Sequence, residues 1–79
     1  MIRFSLDSID DRKAVYTFLP ENDASVPGKA MIDRESGEVS VVEESSADFN
    51  HVYAGHMFSK LREFNESGRF EESGYAIWW

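Results

Sequence analysis

Residues 46–68 read SADFNHVYAGHMFSKLREFNESG, and this stretch decides the fold class. Large apolar side chains recur in it at steps of four, four, four and three: Phe49, Tyr53, Met57, Leu61 and Phe64. This spacing is typical of one face of an α-helix, and polar side chains occupy the opposite face. An isolated amphipathic helix must bury its apolar face. Because the rest of the chain reads as short strands, we expect the helix to pack on a sheet.

The ends of this helix carry recognisable signals. Ser45 or Ser46 is expected to cap the first turn, and Asp48 would favour the positive end of the helix. Gly68 is expected to end the helix, because glycine adopts the left-handed conformation common at that position. Gly55, inside the helix, is unfavourable by about 1 kcal/mol relative to alanine. A close approach to the sheet at Gly55 would explain its presence.

Five segments have the composition and alternation of strands. They cover residues 2–7, 14–19, 29–33, 38–42 and 75–79. The order is strand, strand, strand, strand, helix, strand, and the first four strands form two hairpins. We therefore predict one α+β domain over residues 1–79. It has a mostly antiparallel sheet of four or five strands, with the amphipathic helix on one face.

The clearest hairpin is centred on the loop 34–37. A four-residue loop would set Ile32 opposite Val39 and Ala30 opposite Val41, on one face of the sheet. Gly37 would close the turn, since glycine readily adopts a positive φ.

The composition narrows the classes of function. The chain has 79 residues, no cysteine and a net charge of −7, which argues against binding to nucleic acid or anionic membrane. No apolar run approaches the roughly 20 residues needed to cross a bilayer. The first residues alternate between apolar and polar, unlike a signal peptide, so a cytoplasmic location is expected. The acidic surface serves either solubility or recognition of a basic partner, including mimicry of nucleic acid.

No pattern in the sequence indicates catalysis. His51 and His56 are five residues apart, and a step of five on a helix separates two side chains by about 140°. Zinc-binding pairs on a helix are three or four apart, so we expect no metal site here. The serines lie in turns and caps, the glycines form no phosphate-binding loop, and cysteine is absent. We therefore expect no enzyme activity, no metal and no cofactor.

Surplus aromatic residues provide the only candidate site. In the second strand, Val15 and Leu19 alternate with Tyr16 and Phe18, so one pair must face away from the core. One helix covers only one face of a sheet. The candidate interaction surface on the second face or its adjoining edge consists of Tyr16, Phe18, Trp78 and Trp79. The alternative is that these rings are partly buried and simply cover a small sheet.

The expected function is that of a small acidic, non-enzymatic protein-interaction module, such as a regulator or inhibitor of a basic protein. One alternative is a structural homodimer with no separate partner. A second alternative is a small-ligand-binding or enzyme domain, which would need a concave, partly apolar pocket. The mass of the protein in solution separates the first two possibilities.

Overall fold

The computed structural model describes residues 1–78 and contains five antiparallel strands and one α-helix. The elements follow in chain order: β1 Ile2–Ile9, β2 Lys13–Pro20, β3 Gly28–Asp33, β4 Val39–Glu43, a 3₁₀ turn Phe49–His51, α1 Val52–Ser67 and β5 Ser73–Ala76. The strand order in the sheet is β4-β3-β2-β1-β5. The predicted α+β class and element order are confirmed. The last strand begins and ends earlier than predicted, and Trp79 lies outside the described residues.

The hairpin turns are fixed by short polar side chains. The Asp10 carboxylate accepts hydrogen bonds from the backbone N–H groups of Arg12 (2.8 Å) and Lys13 (2.9 Å). These bonds stabilise the ionised carboxylate and lower the pKa of Asp10. In the second hairpin, Gly37 has the expected positive φ of 79°. Strands β3 and β4 pair in the predicted register, with Ile32 opposite Val39.

Strand register places Tyr16 and Phe18 in the core. Tyr16 lies opposite Leu6, and Phe18 lies opposite Phe4, on the sheet face that α1 covers. Both side chains are 0% exposed. The expectation that they lie on an uncovered face is therefore wrong. Directly opposite residues share a face, so their pairing with β1 fixes their side, and the next residues, such as Leu19, point the other way.

Helix α1 supplies the other half of the core. Its buried side chains are Ala54, Met57, Leu61 and Phe64. They pack with the sheet residues Ile2, Phe4, Ala14, Tyr16, Phe18, Ala30, Ile32 and Ala76. The prediction that this helical face forms the core is confirmed from residue 54 onward. Gly68 ends the helix with a φ of 75°, and its N–H donates to the carbonyl oxygen of Phe64, as expected.

The start of the helix differs from the prediction. Asn50 and His51 have left-handed backbone angles, with φ of 63° and 56°, so the α-helix begins only at Val52. Phe49 consequently points into solvent and is 79% exposed, although its spacing placed it in the core. Two consecutive non-glycine residues with positive φ are uncommon and store local strain.

Asp48 caps the first turn in place of the expected serine. Its two carboxylate oxygens accept hydrogen bonds from the N–H groups of Tyr53 (2.9 Å) and Ala54 (3.0 Å). Ser45 has another role, because its hydroxyl donates to the carbonyl oxygen of Val26 at 2.5 Å. That bond ties the segment before the helix to the loop between β2 and β3.

Two glycines of the sheet lie directly beneath phenylalanine rings. Gly28 pairs with Phe18, and Gly74 pairs with Phe4, each across neighbouring strands. A β-carbon at Gly28 would lie 2.5 Å from Cζ of Phe18, and one at Gly74 would lie 2.8 Å from Cζ of Phe4. Glycine is therefore required at these positions because each ring occupies the volume that a side chain would fill.

Gly55 has no such neighbour. A β-carbon added there would meet no heavy atom within 4 Å beyond the helix's own backbone, so a close approach to the sheet does not explain this glycine. We expect Gly55→Ala to raise the free energy of unfolding by about 1 kcal/mol, because alanine has the higher helix propensity. Urea denaturation would measure the change. The matched control is Gly68→Ala, which forces a side chain into a positive φ and should destabilise the protein. A loss of stability with Gly55→Ala would contradict the prediction.

Candidate functional site

Strand β5 forms one edge of the sheet, and among residues 1–78 no strand pairs with its outer side. The N–H of Leu6 donates to the carbonyl oxygen of Glu72 at 2.7 Å, which sets the hydrogen-bonding phase between β1 and β5. In an antiparallel ladder, the residues of one strand turn their backbone groups alternately toward and away from the neighbour. Gly74 and Ala76 therefore bond to β1, whereas Ser73 and Tyr75 direct their N–H and C=O groups outward. We call this outward side of Ser73–Ala76 the β5 edge.

Large side chains beside the β5 edge are exposed. Tyr75 is 50% exposed, and Ile77, just beyond the strand, is 66% exposed. The Arg3 guanidinium lies 6.0 Å from the centre of the Tyr75 ring, on the sheet face that α1 leaves open. Exposed aromatic and branched aliphatic side chains next to an unpaired strand are typical of a surface that accepts another strand.

The opposite edge is less suited to pairing. Strand β4 pairs with β3 through an irregular register, with a shift between Lys29 and Ala30. Bulges of this kind twist an edge and interrupt its regular row of backbone groups. The pairing of β5 with β1 has no register shift over its four residue pairs. The β5 edge is therefore the more regular template of the two.

Trp78 lies two residues beyond β5 and packs against the helix. Its ring stacks on His56 with a centroid distance of 3.6 Å and an angle of 9° between planes. It also meets the Tyr53 ring edge-on, with centroids 5.7 Å apart. We call these three rings the aromatic cluster. Trp78 is half-buried against the core, whereas the candidates Tyr16 and Phe18 are fully buried inside it, so the three side chains form no shared exposed surface.

A hydrogen-bonded carboxylate holds the aromatic cluster in place. The Tyr53 hydroxyl donates to Oε2 of Glu21 at 3.1 Å, and the amino group of Met1 donates to the same oxygen at 2.7 Å. The bond from the amino group is the main cause of the lowered pKa of Glu21. The carboxylate in turn raises the pKa of the Tyr53 hydroxyl, because the hydrogen bond favours the neutral phenol.

Two open concavities lie between α1 and the chain around β5. A groove of about 300 Å³ lies between the helix residues His56, Lys60 and Glu63 and the segment Tyr75 to Trp78, which covers the end of β5 and the two residues after it. A wider cleft of about 620 Å³ follows toward the end of the helix. Its lining residues are Glu63, Phe64, Glu66, Ser67, Arg69 and Glu71. Glu63 lines both, so the two concavities adjoin along one side of α1.

A buried hydroxyl fixes the segment that forms the outer wall of this cleft. The Tyr16 hydroxyl donates to the backbone carbonyl of Glu71 at 2.5 Å, and burial raises the pKa of Tyr16 to about 12. The Phe70 ring packs on Phe64, with centroids 6.0 Å apart, and on the guanidinium of Arg34 at 4.9 Å. These contacts fix the backbone of Glu71 at the border of the core, and the residue itself is exposed to solvent.

The histidines have ordinary neighbours. His51 contacts the Glu44 carboxylate at 2.7 Å on the surface, and His56 stacks on Trp78. Within residues 1–78, no group of three or more His, Cys, Asp or Glu side chains is arranged to hold a metal ion. No helix in the same range combines the length and the apolar character needed to span a membrane.

No protein-family model, curated protein or solved structure gives a significant match to this chain.

The order of small and large residues around β5 is a sequence signal for the β5 edge that a search for catalytic or binding residue types does not detect. Small residues, Gly74 and Ala76, alternate with large ones, Tyr75 and Ile77. The small residues face the crowded core beneath Phe4 and the helix, and the large residues face outward. Reading this alternation correctly requires the position of β5 at an edge of the sheet, and strand order is not visible in the sequence. Trp79, the fourth candidate, lies outside the described residues.

Proposed function

We propose that this protein is a non-enzymatic protein-interaction module that binds an extended segment of a partner at the β5 edge. The observation that carries the proposal is the regular unpaired edge beside exposed Tyr75 and Ile77. An added strand gains main-chain hydrogen bonds from such an edge, and its alternate side chains enter neighbouring pockets. The groove between α1 and β5 offers one such pocket, with Trp78 at its end.

The proposal includes a cytoplasmic location and excludes nucleic acid, membrane, metal and cofactor as ligands. These parts rest on the composition of the sequence, chiefly its net charge of −7. They remain part of the proposal.

The decisive variant is Ser73→Pro. Proline removes the outward N–H at the first residue of β5, a position where a strand tolerates proline. The bonds between β5 and β1 stay intact, so the variant should fold. In pull-downs from the source cells, we expect one partner to be retained by the wild type and by the control Ser73→Ala, and lost with Ser73→Pro. Circular dichroism checks that both variants are folded. Equal retention by Ser73→Pro would overturn the proposal.

A homodimer is the alternative that the same edge supports. Two copies of β5 related by a two-fold axis would pair antiparallel and extend the sheet across both chains. Light scattering at micromolar to millimolar concentration distinguishes the two cases. A monomeric mass supports a separate partner, whereas a dimer that Ser73→Pro dissociates would replace the partner by a second copy.

A further inference from the structure

We propose that the segment bound at the β5 edge is basic, with lysine or arginine side chains directed toward α1. This inference rests on the proposed function, because it identifies the chemistry of the strand that the edge accepts. A strand added beside β5 would place every second side chain on the helix side of the sheet. Those side chains would enter the groove and the adjoining cleft, so the charges there decide which residues fit.

Carboxylates predominate on that side. Glu63, Glu66 and Glu71 line the cleft, and Glu72 is exposed where the chain enters β5. Among residues 1–78, Glu66, Glu71 and Glu72 form no ion pair with a lysine, arginine or histidine of the protein itself. The negative charges are therefore available to an incoming cation.

The cations of this region do not neutralise the carboxylates. Lys60 contacts Glu63 at 3.9 Å, and Arg69 lines the cleft among three glutamates. Arg3 lies over Tyr75 on the opposite face of the sheet, away from the cleft. Arg34 lies over the ring of Phe70, next to Glu71, so three cations (Lys60, Arg69 and Arg34) stand against the four glutamates and one negative charge is in excess. A basic side chain opposite Glu66 or Glu71 thus meets net negative charge.

The backbone of Glu71 is held in place, so its carboxylate is a well-positioned partner for an incoming cation. The Tyr16 hydroxyl holds the carbonyl of Glu71, and Phe70 packs on Phe64 beside it. Glu71 consequently projects from an anchored segment and loses less freedom when it pairs with a cation.

Trp78 lines the groove that adjoins the cleft, and it offers an aromatic face for the stem or charge of a second basic side chain.

The overall charge argues against a second copy as the occupant. Each chain carries a net charge of −7, so two chains repel one another, whereas a basic segment is attracted over a distance. Screening by salt weakens this attraction, so binding should fall as ionic strength rises.

The test uses capped peptides of about six residues, the usual length of a strand. One alternates lysine with valine, a second alternates serine with valine, and a third alternates glutamate with valine. Titration followed by amide NMR shifts gives the affinity and the residues affected. We expect the lysine peptide to bind tightest, to shift amides of β5, and to lose affinity with Ser73→Pro but not with Ser73→Ala.

Charge is tested by a pair of variants matched in net charge. Glu66→Gln with Glu71→Gln should weaken binding of the lysine peptide by about threefold to tenfold at low salt. The control, Glu43→Gln with Glu44→Gln, removes two exposed carboxylates at the opposite edge and should leave affinity unchanged. Equal binding of the serine and lysine peptides, no binding of the lysine peptide, or equal affinity in both paired variants would overturn the basic segment.

The two proposals fail separately. If the cellular partner depends on Ser73 but is insensitive to Glu66→Gln with Glu71→Gln, the edge is the binding site and the basic segment is wrong. If Ser73→Pro retains every partner and every peptide, the edge itself is wrong. A dimer in solution that Ser73→Pro dissociates identifies the occupant as a second copy and also overturns the basic segment.

Discussion

Leu61→Ala is expected to lower the free energy of unfolding by about 2–5 kcal/mol. Leu61 is 0% exposed and lies at the centre of the helix face that packs on the sheet. Its removal takes apolar contacts away and leaves a cavity that the surrounding side chains fill only in part. A chain of 79 residues has a total stability of about 4–12 kcal/mol, so the variant should melt far below the wild type.

The matched control is the same substitution on the open face of the sheet. Leu19→Ala removes a half-buried side chain that points away from α1, and its cost should be roughly 1 kcal/mol. Urea denaturation of both variants gives the comparison. Similar losses for Leu61→Ala and Leu19→Ala would mean that the helix contributes no tighter packing than the uncovered face.

Gly28→Ala is expected to destabilise the protein by about 1–3 kcal/mol, because a buried ring must move to admit one methyl group. The new β-carbon would lie 2.5 Å from Cζ of Phe18, and Phe18 is itself fully buried. Thermal unfolding followed by circular dichroism would measure the loss.

A double-mutant cycle tests the cause. Phe18→Leu shortens the side chain above Gly28, so Gly28→Ala should cost less in that background than in the wild type. If the two substitutions are simply additive, the ring does not impose glycine at position 28.

The apolar spacing of the helix was sufficient to predict the fold class. Met57, Leu61 and Phe64 recur at helical steps and are all buried. The pairing of Ile32 with Val39 also followed from the sequence, because a four-residue loop leaves one register that puts both side chains on one face. In both cases the determining interaction is local in the chain.

Phe49 is a residue whose burial was predicted wrongly from the spacing of apolar residues. It lies four residues before Tyr53, which suits a continuous helix, yet Asn50 and His51 adopt left-handed angles and interrupt it. Asp48 compensates by accepting hydrogen bonds from the N–H groups of Tyr53 and Ala54, the second and third residues of α1. A backbone conformation of this kind depends on several residues together and leaves no mark in apolar periodicity.

The candidate site was only partly predictable, for a related reason. Alternation shows that β2 has two apolar faces, but only pairing with β1 decides that Tyr16 faces the helix. Likewise, Tyr75 becomes a candidate only once β5 is known to occupy an edge of the sheet. Strand order and the choice of face are set by contacts between distant segments, and single-strand patterns do not encode them.

The placement of β5 has a consequence for how the chain assembles. Strands β1 to β4 follow one another in the sheet as they do in sequence, so each can pair soon after its neighbour has formed. The pairing of Ile2 with Ala76 instead closes a loop of nearly the whole chain, and the entropy of closure grows with loop length. We expect the four-stranded meander to form early and β5 to join it last, after α1 has crossed the sheet. Before β5 pairs with β1, the outer side of β1 is an unpaired edge at which a strand of another chain can add. The binding that we propose for the folded protein would thus occur on the same side of the sheet as misassembly of the unfinished protein, at β5 in one case and at β1 in the other.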